Sequence, residues 1–174
     1  ISIGHSTGSN ITEGGTNVLI GRCTGFSQTS AYSNTLIGAC VGRKLTTGGG
    51  NIGLGRRASD CISVGFFNIA IGVQAGRNRY STDLNQPDPN CTISIGYGAG
   101  DTHFYGNSAR NVFLGFQSGD GIVQGNSTST TCNKNDDNIL IGTDSGDGSG
   151  ICGNFCQNVL IGYRAASNIL GAGI

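Results

Sequence analysis

A chain of 174 residues carries 32 glycines, two prolines and no methionine or tryptophan, and its ten basic residues balance ten acidic ones. A net charge of zero gives no field to gather nucleic acid or an anionic membrane, and glycine without proline or a three-residue period excludes collagen. Charged residues make up only 11%, which argues against a solvated disordered chain, and no apolar run approaches the roughly 20 residues of a membrane-spanning helix.

One unit recurs along the chain: Asn-apolar-x-Ile/Leu-Gly-x-x-small-Gly. A truncated copy, Ile1-Ser2-Ile3-Gly4, opens it. Asn17-Val18-Leu19-Ile20-Gly21, Asn34-Thr35-Leu36-Ile37-Gly38, Asn51-Ile52-Gly53-Leu54-Gly55 and Asn68-Ile69-Ala70-Ile71-Gly72 follow. Thr92-Ile93-Ser94-Ile95-Gly96 has Thr for Asn, and the remaining copies start at Asn111, Asn138 and Asn158. The anchor glycines are 17 residues apart four times, then 24, 19, 27 and 20, so the later units are the same coil with seven, two, ten and three residues inserted. Fixed spacing followed only by additions is the mark of a solenoid, whose insertions map to loops outside the stack.

Each unit predicts a short strand ended by a glycine turn. The residues three and one before the glycine, nearly always β-branched or Leu, are expected to face the core, and the middle residue to face out. Three residues after the glycine stands a small residue, from Thr7 and Thr24 to Ala165, as an inward corner position requires. A weaker second strand is suggested by Ile62-Ser63-Val64-Gly65 and by Ile11, Leu45, Ile122 and Ile169. The unit is too short for a strand plus a crossover helix. The expectation is therefore all-β: a single parallel β-solenoid (β-roll or β-helix) of about nine coils over residues 1–174, with the Asn residues stacked in a hydrogen-bonded column.

With the middle position outward, Leu19, Leu36, Phe113, Leu140 and Leu160 would form an apolar stripe, extended by Val73, Tyr97, Phe116 and Tyr163 after the glycines. Such a stripe predicts self-association, unless insertions such as Arg77 to Cys91 fold back over it. The register also gives the seven cysteines meaning. Cys23 and Cys40 both lie two residues after an anchor glycine, and Cys132 and Cys152 both lie ten before one. Stacked neighbours about 5 Å apart can be bridged, so Cys23–Cys40 and Cys132–Cys152 are expected disulfides, with free thiols the alternative. Cys61, Cys91 and Cys156 remain, and an odd count leaves one thiol free or joined to another chain. Acceptor sequons at Asn10, Asn90 and Asn126 predict glycan and, with the cysteines, an extracellular or cell- or virion-surface location.

The phrase Asn68-Ile69-Ala70-Ile71-Gly72-Val73-Gln74-Ala75-Gly76 resembles the head repeats of trimeric autotransporter adhesins and related repeats of phage tail fibres and other surface fibres. In the adhesin family such repeats form a left-handed parallel β-roll that trimerises, which the resemblance implies here. The 17-residue period is longer than the family's shorter head repeat, and the cysteines and sequons depart from a bacterial adhesin head.

No enzyme is expected. His5 and His103 are the only histidines, and neither lies in a catalytic motif. Gly148 to Gly153 matches a dinucleotide loop only by letters, lacking its strand and helix. Asp136, Asp137, Asp144 and Asp147 have no calcium-loop spacing and read as a solvated acidic stretch. No metal or cofactor is implied. The expected function is that of a structural subunit of an extracellular fibre or filament, with copies of itself as partners, head-to-tail, lateral or trimeric. Neither end carries an evident cap, which suggests that terminal coils stack on further coils or that the chain is part of a longer array. The alternative is an adhesin or receptor-binding module whose loops meet a surface glycan. Ice binding is disfavoured because the middle column, from Ser2 through Leu19 to Leu160, is not a threonine array.

Overall fold

The computed structural model describes residues 1–77, 89–101, 109–120, 136–147 and 156–167. It is all-β, with nine short strands and, among the described residues, no helix. The strands are β1 (Ser2–Ile3), β2 (Val18–Ile20), β3 (Thr35–Ile37), β4 (Ile52–Leu54), β5 (Ile69–Ile71), β6 (Ile93–Ile95), β7 (Val112–Leu114), β8 (Ile139–Ile141) and β9 (Val159–Ile161). They form one parallel sheet in chain order, each paired with the strand of the next coil. The register is the repeat itself: Val18 pairs with Thr35, Thr35 with Ile52 and Ile52 with Ile69. It survives the insertions, since Ile69 pairs with Ile93 and Val112 with Ile139.

The anchor glycine ends each strand for a steric reason. Gly21, Gly38, Gly55, Gly72, Gly96, Gly115 and Gly142 have φ between 119° and 139°, and a Cβ on any of them would lie under 3.0 Å from the carbonyl of the next anchor glycine. Two residues later the chain turns through a left-handed residue in every coil, among them Cys23, Cys40, Arg57, Gln74 and Asp144. A second left-handed column, with Thr16, Ser33, Phe67, Cys91 and Arg110, precedes the Asn positions. Side chains oppose this conformation by about 1–2 kcal/mol each. The ladder holds it in place: the Cys40 N–H donates to Arg22 O at 2.9 Å, and the Phe67 N–H to Gly49 O at 3.0 Å.

The strand faces are the reverse of the expected parity. Leu19, Leu36, Ala70, Ser94, Phe113 and Leu140, the middle residues, are buried, whereas the first and third residues of β2 to β9 are partly exposed or exposed. The cause is the Asn column. Asn17, Asn34, Asn51, Asn68, Asn111 and Asn138 are buried, and a residue two positions further along an extended chain points to the same side. The core is too narrow for one size of side chain at every level. Val41 and Leu36 occupy the space a Cβ on Gly53 would take, and Phe113 lies over Gly100 and Gly119.

Across from the sheet, the small column is inward as expected, with Thr24, Val41, Ala58, Ala75, Ala99, Ser118 and Ser145 fully buried. Leu45 and Ile62 are also buried, and Ile11 packs against the edge of the cluster to which they belong. The second strand is not formed among the described residues. That side runs as bends tied coil to coil, the Thr29 N–H donating to Thr46 O at 2.9 Å and the Thr46 N–H to Ser63 O at 2.7 Å. Ile122 and Ile169 lie outside the described residues. The apolar core has two parts, one around Leu19, Leu36 and Ile62 and one around Phe113 and Leu140. Where they meet, a cavity of ≈ 10 Å³ is lined by Ser59, Ala70, Gly76 and Ser94.

Candidate functional site: the outer sheet face and its flanks

The register inversion relocates the candidate contact surface. Leu19, Leu36, Phe113 and Leu140 are core residues, and Leu160 packs against Phe113 and Leu140, so none of these five forms an outer stripe. The face turned outward consists of the first and third residues of β2 to β9. Of these sixteen, Thr35 alone is not aliphatic, and none is charged. Tyr97, Phe116 and Tyr163 are exposed beside this face, while Val73 is half-buried. The Tyr97 and Phe116 rings stack with centroids 5.2 Å apart and planes inclined by 11°. In earlier coils the same position holds Arg22 and Arg56, both exposed. On the other flank, exposed Tyr32 and Phe67 both adjoin Phe66, at ring-centroid distances of 6.4 and 6.3 Å.

The Asn column is a buried ladder with a structural task. Asn51 Nδ2 donates to Asn34 Oδ1 at 3.0 Å and to Gly65 O at 2.8 Å. Its own Oδ1 accepts from the Asn68 N–H at 2.9 Å and from Asn68 Nδ2 at 3.1 Å. The same pattern joins Asn34 to Asn17 and Asn138 to Asn111. Thr92 keeps the main-chain bond to Asn68 Oδ1 at 3.0 Å, but its hydroxyl bonds to Asn90 O at 3.4 Å.

Arg43, Asp60, Arg77 and Asp101 alternate along the axis, with Arg43 Nε 3.0 Å from Asp60 Oδ1 and Arg77 Nη2 3.1 Å from Asp101 Oδ2. Arg57 Nε adds a contact of 3.4 Å to Asp60. The Asp60 charge and hydrogen bond hold the Arg43 guanidinium above its ordinary range. The acidic stretch is largely paired: Arg110 Nε lies 2.5 Å from Asp137, whose carboxyl is held low by that hydrogen bond, and Arg164 lies 3.7 Å from Asp144. Asp147 departs the other way, pushed up by burial and then by Asp144. Among the described residues, no three His, Cys, Asp or Glu side chains are grouped closely enough to hold a metal ion.

Cys23 and Cys40 are free thiols, so the bridge expected between them is not formed. They occupy equivalent positions of adjacent parallel coils, and their Cα–Cβ bonds therefore run side by side. That leaves the Cβ atoms near the strand spacing of about 4.8 Å, beyond the roughly 3.8 Å typical of a disulfide. Cys61 and Cys91 are also free thiols. Burial, followed by the Asp60 charge, pushes the Cys61 thiol up, whereas Cys91 is exposed. Cys132, Cys152 and the dinucleotide-like Gly148 to Gly153 lie outside the described residues.

Of the sequon residues, Asn10 is exposed with Nδ2 donating to Phe26 O at 2.7 Å, and Asn90 is half-buried with Oδ1 accepting from the Phe66 N–H at 2.8 Å. Asn126 and His103 lie outside the described residues. The four longer units carry their additional residues between the fifth residue after an anchor glycine and the second residue before the next Asn or Thr position, and the strands on either side keep their pairing. Among the described residues no helix is long and apolar enough to cross a membrane.

Comparisons with protein-family models, with curated proteins and with solved structures found no match to this chain.

Proposed function

We propose that this chain is a structural subunit of an extracellular fibre, working by shape and by contact with copies of itself rather than by catalysis. The observation that supports this reading best is the unbroken nine-strand parallel stack, whose register is kept through every insertion. A solenoid of this kind is a rod, with insertions as side decoration. The sequons at Asn10, Asn90 and Asn126 support a secreted setting. The resemblance to surface-fibre repeats points the same way. Negative-stain microscopy of the native material tests the reading: filaments or bundled rods are expected, and a uniform population of isolated rods contradicts it. Intact-mass measurement of secreted protein tests the location, with a mass equal to the bare polypeptide counting against glycan.

A second reading, an adhesin or receptor-binding module, is favoured by one specific observation. Four consecutive coils carry added residues, all in the segment between the fifth residue after the anchor glycine and the second residue before the next Asn or Thr position. A row of variable segments on a rigid scaffold is a common way to build a recognition surface. Binding of a glycan or cell surface that is lost when these insertions are shortened to the basic coil, with the rod intact, would favour it.

A further inference from the structure

The structure assigns the outer face of the sheet, built from the first and third residues of β2 to β9, as the surface on which a second copy of this chain docks. The inference rests on the fibre reading but can fail separately from it.

Three observations carry it. First, the face is apolar without interruption: fifteen of its sixteen residues are aliphatic, the sixteenth is Thr35, and no charge falls within it. Isolated edge or surface apolar residues are ordinary, but a contiguous apolar face needs a partner. Ile52, Ile95 and Ile139, from the first half to the second half of the rod, are each 38–39% exposed, so the face is open along its length.

Second, its size suits an interface. From the first strand residue to the residue after the glycine, five positions at about 3.3 Å span roughly 16 Å, and eight strands about 4.8 Å apart span roughly 38 Å. That is about 600 Å² of face per copy, or about 1,200 Å² between two, the lower bound for a stable specific contact. The last of these positions borders the area, held by exposed Tyr97, Phe116 and Tyr163 in the later coils and by exposed Arg22 and Arg56 in earlier ones, so the charge-free aliphatic part lies inside that border.

Third, the face repeats at the coil spacing in both columns, so a partner must carry the same period. Another copy of the face does. Its aliphatic rows settle between the rows of the first when displaced by half a coil, as identical sheets interdigitate in dry zippers at about 10 Å separation. A structurally unrelated partner has no such periodic match, and the corner charges, Arg43, Asp60, Arg77 and Asp101, lie on a different column from the face.

The test is sedimentation velocity of the full chain over a concentration series, with far-UV circular dichroism as the folding check. The comparison set is Ile95→Lys/Ile139→Lys, the milder Ile95→Thr/Ile139→Thr, and Thr47→Lys on an exposed position away from the sheet. Wild type and Thr47→Lys are expected to associate. The double lysine variant is expected to remain a single copy at concentrations at least about tenfold higher, an effect of one or more factors of ten in affinity. Should the lysines unfold the rod, the threonine pair, which keeps β-branching at both sites, gives the answer through a smaller shift in the same direction. Wild type sedimenting as a single copy at every attainable concentration overturns the inference, as does association undiminished in a folded lysine or threonine pair. Microscopy of the same samples separates the two readings. Discrete pairs that the substitutions disperse, without filaments, leave the interface standing and remove the fibre. Filaments that persist in the lysine pair remove the interface and leave the fibre.

Discussion

Replacing Asn51 by Ala tests whether the Asn ladder holds the coils together. The substitution removes two donated bonds, to Asn34 Oδ1 and Gly65 O, and two accepted ones, from the Asn68 N–H and Asn68 Nδ2. Asn34 Oδ1 keeps the main-chain N–H of residue 51, and Asn68 Nδ2 keeps Pro89 O. The Asn68 N–H and the Gly65 carbonyl lose the partners described here, in a site where Asn51 is only 3% exposed. At about 1–3 kcal/mol for each of these two buried groups left unmatched, the loss comes to about 2–6 kcal/mol. Against a total stability of roughly 5–15 kcal/mol that is enough to shift the denaturation midpoint visibly. Guanidinium unfolding followed by circular dichroism measures it, with hydrogen exchange reporting whether coils around β4 and β5 open first, as nearest-neighbour coupling in a solenoid requires. Asn51→Asp adds a check of sign. It sets a carboxylate against two acceptor oxygens, so its folded pKa lies above its unfolded value. The variant's deficit is then smallest below the unfolded pKa and grows as pH rises through the folded one. A deficit for Asn51→Ala under about 1 kcal/mol, the net worth of a single ordinary bond, would refute the ladder as a principal fastening.

Gln28 is fully buried between Ile11 and Leu45 in its column, and among the described residues neither amide atom has a hydrogen-bond partner. Gln28→Leu is expected to stabilise the fold by about 1–3 kcal/mol in the same unfolding assay. Asp147 has its pKa raised by burial, so its neutral form is favoured in the fold and stability from this group is lost as pH rises through the folded pKa. Asp147→Asn should therefore gain stability over wild type at neutral pH, with the gain vanishing below the ordinary carboxyl range. In timed alkylation of the native protein near pH 8, exposed Cys91 is expected to react before Cys61, whose thiol is held protonated by burial, and the order should disappear on denaturation.

The periodic part of the fold was legible in the residues because the repeat states the pairing directly. Anchor glycines 17 residues apart became strand partners 17 residues apart, and insertions of seven and ten residues left the pairing of β5 with β6 and β7 with β8 unchanged. The Asn column was legible for the same reason. The left-handed corners were not, since Cys23, Arg57, Gln74 and Phe67 share no residue type that announces a positive φ. What fixes those positions is the carbonyl of the neighbouring coil, which no single coil contains. The Cys23–Cys40 bridge failed on a related point: sequence register gives proximity, while a disulfide also needs Cβ atoms inclined toward each other.

The inverted parity has a different cause, and it bears on what the outer face is for. Columns of Ile, Val and Leu read as core in the sequence because burial is the usual reason for apolar side chains. In a narrow solenoid the core must fill a fixed volume from several columns at once, so its residues compensate one another in size: Gly53 beside Val41 and Leu36, Ala70 near Ser94, Phe113 over two glycines. Variation along the buried column is therefore what filling demands. The outer columns face no such constraint from within their own coil. Solvation would allow Thr, Ser or Lys at any level, as it does at Thr12, Ser27 and Lys44 on the other side. Yet Ile, Val or Leu stands at fifteen of sixteen places. β-propensity explains the branching but not the absence of Thr, which branches equally well and appears only at Thr35. Strand formation alone leaves that preference unexplained, whereas a flat apolar face matched to another of the same period accounts for both the branching and the exclusion of hydroxyls.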